Sequence, residues 1–150
     1  MDIHLAQALW ILDLLAIDHL PEVALDALEV GLDTPALRML AGLVSNEVED
    51  APQIFTQALK ELGLPMLSRR DAACIYAISV SKQILNGELS PQDGADKLWE
   101  ASIRVNNPDF HELDTFIYAD SELQSRPEDQ DFFSREILKE ARVWASKHDI

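Results

Sequence analysis

The densest stretch of chemically capable side chains runs from residue 109 to residue 131. Eight acids (Asp109, Glu112, Asp114, Asp120, Glu122, Glu128, Asp129 and Asp131) stand there beside one base, Arg126. Phe110, Phe116 and Tyr118 are interleaved with them. Carboxylates can move protons, ligate metals or dock cations. In so acidic a chain no carboxylate pair stands out as a general acid and base. Acids around aromatics suit a basic protein partner, because the charges steer encounter and an aromatic anchors it. The candidate partner-binding residues are therefore Asp109, Glu112, Asp114, Tyr118, Asp120, Glu122, Glu128 and Asp129. The competing reading is a solvated face whose aromatics belong to the core.

Other chemistries find little in the sequence. His111-Glu112 is followed by Leu113-Asp114-Thr115, so the second histidine of a zinc helix is missing. No histidine has a glutamate three residues before it, as a di-iron bundle needs. Asp129, Asp131 and Glu140 match positions 1, 3 and 12 of a calcium loop, yet Phe133 and Ser134 fall where an oxygen ligand and a glycine belong. The five glycines are too scattered for a phosphate loop. Cys74, the one cysteine, lies on an apolar helical face, which predicts a buried, inert thiol and excludes an intrachain disulfide. The expectation is a chain with no catalytic, cofactor-binding or metal-ligating residue.

With 27 acids against 12 bases, the formal charge of -15 repels nucleic-acid phosphates and anionic lipid. No run approaches the roughly 18 apolar residues of a membrane span, and Met1-Asp2-Ile3-His4 lacks the basic start of a secretory signal. A cytoplasmic protein is expected, with neither nucleic acid nor membrane among its partners. Its 150 residues match one ordinary domain, so a single α-helical domain over 1–150 is expected.

The elements that must position these residues read as helices. Gly31, Gly42, Gly63 and Gly87 each follow a helix-period stretch, at the place where a left-handed residue closes a helix. Pro21, Pro35 and Pro91 open such stretches, where a missing N–H costs nothing. The spacing predicts helices over about 2–16, 21–30, 35–41, from Ser45 or Asn46 to 62, 68–86, 91–105, 109–120 and 130–146. Ala95, Leu98, Trp99 and Ile103 read as the core side of the sixth. Residues 121–128 read as a connection. Phe133, Ile137, Ala141 and Trp144 form the core stripe of the last helix. The two apolar stripes of the first helix suit a central position or a subunit contact. No segment alternates with period two for long enough to suggest a sheet. The fold class is all-α: a single compact bundle of six to eight short helices, mostly antiparallel neighbours.

The stretch Gly31-Leu32-Asp33-Thr34-Pro35-Ala36-Leu37-Arg38-Met39-Leu40-Ala41-Gly42 resembles a signature, G-x-D-[ST]-P-x-L-R-x-L-A-G, of small helical bacterial proteins. The resemblance extends to "ALKELGL" from Ala58 and "ILNGELSPQDGA" from Ile84, about two thirds of the chain. It implies a bacterial, cytoplasmic, helical protein and transfers no catalytic residue. The motif also has a backbone reading. Gly31 ends one helix, Asp33 or Thr34 caps the next, Pro35 starts it, and Gly42 ends it. Arg38 is the only Lys or Arg among the first 50 residues, against ten acids, which favours an intrachain charge partner over a substrate clamp.

The leading expectation is a non-enzymatic protein-interaction module, in its most concrete form an immunity-type protein covering a basic partner. The alternatives are a helical-bundle enzyme or small-ligand binder with a pocket between helices, and a structural homo-oligomer. A cleft holding convergent polar groups of perturbed ionisation would favour the pocket.

Overall fold

Caps and closing turns set the helix boundaries. A computed structural model describes residues 1–44 and 48–147. Among these residues there are eight α-helices and no strand. The Asp2 carboxylate accepts the N–H groups of His4 and Leu5 at 2.8 and 3.3 Å and opens α1 (Ile3–Ile11). Thr34 accepts the Leu37 N–H at 3.2 Å and opens α3 (Pro35–Ala41), and Ser90 accepts the Asp93 N–H at 3.0 Å and opens α6 (Pro91–Val105). Pro21 and Pro52 stand second in α2 (Leu20–Glu29) and α4 (Ala51–Glu61), where no intrahelical N–H is needed. The proposed opening of α4 at Ser45 or Asn46 lies outside the described residues.

Three of the four closing glycines are left-handed: Gly31, Gly63 and Gly87 have φ of +94, +71 and +80°. Gly42 is a correction. It caps α3 at φ -86°, a right-handed conformation open to any residue. The first helix also ends earlier than its apolar stripe suggests. Asp13 takes φ +58°, its N–H bonds Trp10 at 3.1 Å, and the Leu14 N–H reaches back to Leu9 at 2.8 Å. This is the paired closing turn normally built on glycine.

Residue contacts divide the chain into two units, Met1–Ser68 and Arg69–Ile150. In the first, α2 packs against α1, α3 and α4, and α3 against α4. Trp10 meets the buried Phe55 edge-on, with ring centroids 6.1 Å apart. The Glu61 carboxylate accepts the Ala36 N–H at 2.9 Å, which holds its ionisation below the usual range and ties α4 to the start of α3. Arg38 pairs with Asp33 at 3.0 Å on the exposed face of the same corner. The signature residues thus make a capped helix corner.

The second unit is a ring of four helices: α5 (Arg69–Leu85), α6, α7 (Asp114–Ser125) and α8 (Gln130–Ala145). Each packs on the next, and α8 closes on α5. On α5, Ala73, Ala77, Val80 and Ile84 are buried. Gly94 lets α6 approach it, since a Cβ there would come 2.6 Å from Ile84 Cγ1. Phe133, Ile137, Ala141 and Trp144 form the buried stripe of α8, as their spacing predicts. Two boundaries differ from expectation. The stretch after α6 is a turn, with the Asp109 N–H bonded to Asn107 Oδ1 at 2.9 Å, so Phe110 and Leu113 are buried from non-helical backbone. The helix then begins at Asp114 and continues through Ser125, across much of the supposed connection. Burial of Leu123 beside Phe116 and Ala119 draws those residues into α7.

Candidate functional site

Two helix stripes face one another across a groove in the second unit. Asp96, Trp99, Glu100, Ile103 and Arg104 come from α6, and Ile117, Asp120, Ser121 and Gln124 from α7. Both sets follow the i, i+3, i+4, i+7 spacing that places side chains on one face of a helix. The groove encloses about 970 Å³. Trp99 and Ile103, expected in the core, are 50 and 53% exposed and form its wall. Ala95 and Leu98 are buried as expected, and the core stripe of α6 continues through Ala101 and Val105.

Asp120 is the unusual group. It is 4% exposed, and its Oδ1 is buried without a hydrogen-bond partner. Desolvation, then a hydrogen bond to the Asp96 carboxyl and repulsion from it, push its pKa up to about 7, while a hydrogen bond from Gln124 acts the other way. The Asp120 carboxyl therefore keeps its proton up to near neutrality. Three acids line the groove against one base, Arg104, and that base is turned to Glu100 at 3.6 Å. The groove can accept hydrogen bonds and positive charge and stack a flat group on an indole. Among the described residues no group of three or more His, Cys, Asp or Glu could hold a metal ion.

No family model matches the chain, nor does any curated protein or solved structure.

The residues singled out from the sequence are not gathered at one place. Asp120 lies on the groove floor. Glu112 accepts from Arg70 Nε at 2.6 Å, which raises the arginine's pKa. Asp114 lies 3.1 Å from His111. Glu122 and Asp129 share Arg126 at 3.4 and 2.7 Å. Asp109 and Glu128 are exposed. Tyr118 is 62% exposed and lines a separate hollow of about 520 Å³ with Phe132, Phe133 and Arg126. Much of the acidic segment is thus matched by nearby bases. Asp96, Glu100, Trp99 and Ile117 were absent from the candidate set. For the three on α6 the signal was the mixed stripe: two apolar residues sharing a face with Asp96, Glu100 and Arg104 mark a groove wall rather than a core.

Cys74 is buried, and desolvation is the main cause that raises its thiol pKa. No helix among the described residues is long and apolar enough to cross a membrane.

Proposed function

We propose that this chain is a protein-interaction module whose α6–α7 groove receives a basic partner. The observation that carries the reading is the Asp120 carboxyl, held out of water on the groove floor with an oxygen that no donor satisfies. Such a group costs about 1–3 kcal/mol, more if charged, and a donor brought by a partner offsets that cost. The formal charge of -15 draws basic partners toward the whole chain. The half-exposed Trp99 supplies the aromatic anchor, in place of the Tyr118 expected from the acidic segment.

The test is capture from a native lysate by the immobilised chain over a salt series, with Asp120→Asn in parallel. A basic, stoichiometric partner should bind at low salt, fall away steeply as salt rises, and bind the variant weakly. Capture indifferent to salt, or equal on both proteins, argues against this reading. An immunity-type role is its most concrete form, in which the partner is a basic toxin made in the same cell. The groove also favours a second reading, recognition of a small organic cation, which direct titration of the free chain would reveal without any protein partner.

A further inference from the structure

We propose that the groove between α6 and α7 is a receptor for one arginine side chain of the partner, with Asp96 and Asp120 taking the guanidinium and Trp99, Ile103 and Ile117 flanking its stem. This rests on the reading above and names the group that enters. Four observations converge on it. The groove lining carries three acids and one base, and the base is already turned to Glu100. Asp120 is nine-tenths buried or more and keeps one oxygen without a partner. Asp96 lines the same groove from the α6 side and is one cause of the raised Asp120 pKa, so two carboxyls face the cavity. Trp99, on the same face as Asp96, leaves half of its surface open.

A guanidinium fits these features better than an ammonium. Its planar fork places several N–H donors side by side, as two adjacent carboxylates require. It stacks on an indole face and gives up water more easily than a lysine ammonium, which matters beside Ile103 and Ile117. The methylene stem then covers apolar wall. On entry the guanidinium replaces the proton held by Asp120, and that proton passes to solvent. The ionisable groups of the groove are Asp96, Glu100 and Arg104, all on α6, besides Asp120 itself. Binding therefore strengthens as pH rises through about 7 and levels off above it.

The test is amide and indole NMR of the whole chain, titrated with capped Gly-X-Gly peptides in which X is arginine, lysine or citrulline. The arginine peptide should move the Trp99 indole N–H and the amides around residues 96–104 and 117–124. Lysine should bind more weakly, and neutral citrulline should leave these signals in place. Asp120→Asn and Trp99→Ala should each weaken the arginine response while keeping the dispersed amide spectrum of the folded chain. Between pH 6 and pH 8 the apparent affinity should rise about tenfold. Citrulline matching arginine, lysine matching arginine, or shifts confined to other acidic positions such as Asp109 and Glu128 would overturn the proposal. A salt-sensitive basic partner that leaves the groove signals unmoved also overturns it, yet leaves the broader reading standing. Arginine seated in the groove with no basic partner in any lysate does the reverse.

Discussion

Replacing Asp120 by asparagine isolates the energetic cost of the groove. The carboxyl has an ordinary pKa of 3.8 and one of about 7 in the folded chain. The folded state therefore keeps a proton that the unfolded chain releases between about pH 4 and pH 7. Stability from this group is complete below pH 3.8 and is lost as the pH rises to 7, after which it is level. The rise from 3.8 to about 7 corresponds to roughly 4 kcal/mol at pH 8, of which somewhat under half has already been lost at pH 5. Asparagine has the same shape, can still donate to Asp96, and does not titrate. The advantage of Asp120→Asn over the unaltered chain should grow by about 2–3 kcal/mol from pH 5 to pH 8. Urea denaturation of both proteins at the two pH values measures this directly. The difference between proteins cancels the general effect of the acidic surface, which both share. An advantage that is the same at both pH values would refute the reasoning. So would a variant less stable than the unaltered chain at pH 8, since either result would mean that Asp120 is ionised in the folded state at little cost.

Three further expectations concern the frame of the fold. Gly94→Val should destabilise the chain by about 1–3 kcal/mol, read from the urea midpoint, because the added carbons meet Ile84 where α6 crosses α5. Thr34→Ala should cost about 1 kcal/mol by removing the cap on the Leu37 N–H, measured the same way. Cys74 should resist alkylation by iodoacetamide in the folded chain and react fully in urea, followed by mass spectrometry, since it is buried and its thiolate is disfavoured.

Helix punctuation was legible wherever it depended on local backbone chemistry. Proline after a capping hydroxyl at Thr34-Pro35 and Ser90-Pro91 named two helix starts, and Gly31, Gly63 and Gly87 named three ends. Asp13 hid another end, because the left-handed turn there is made without glycine and the apolar pattern continues past it. The boundaries of α7 were hidden for a different reason. Phe110, Leu113 and Ile117 keep helical spacing, yet Asn107 bonds the backbone of Asp109 and stops a helix from forming before Asp114. The site was half legible. Asp120 stood among the acidic candidates, but nothing local distinguished it from seven neighbours that face water or a base. Its burial follows from how α7 packs on α6, a tertiary fact. Trp99 and Ile103 were read as core because apolar residues at helical spacing usually are. The acids sharing their stripe carried the contrary signal.

Two buried polar atoms lack a partner among the described residues, Asp120 Oδ1 and Ser81 Oγ, and comparing them separates a site from an imperfection of packing. Ser81 is fully buried on α5 and lines none of the grooves described above. A neutral hydroxyl in that position imposes a modest cost that does not vary with pH, and alanine removes both the orphan and the weaker helix propensity of serine. Ser81→Ala should therefore leave stability equal or raise it by about 1 kcal/mol, by the same amount at pH 5 and pH 8, in urea denaturation. A loss of stability instead would show that the hydroxyl has a partner after all. Asp120 differs on every count. It is ionisable, it is paired with a second acid rather than a base, and it opens onto a groove with an exposed indole. Burying a carboxylate beside another carboxylate opposes folding at neutral pH, and leucine or asparagine would fill the space at less cost. A residue that weakens its own fold in this way, where two acids and an exposed indole line one groove, is better explained by what enters the groove than by what holds the helices together.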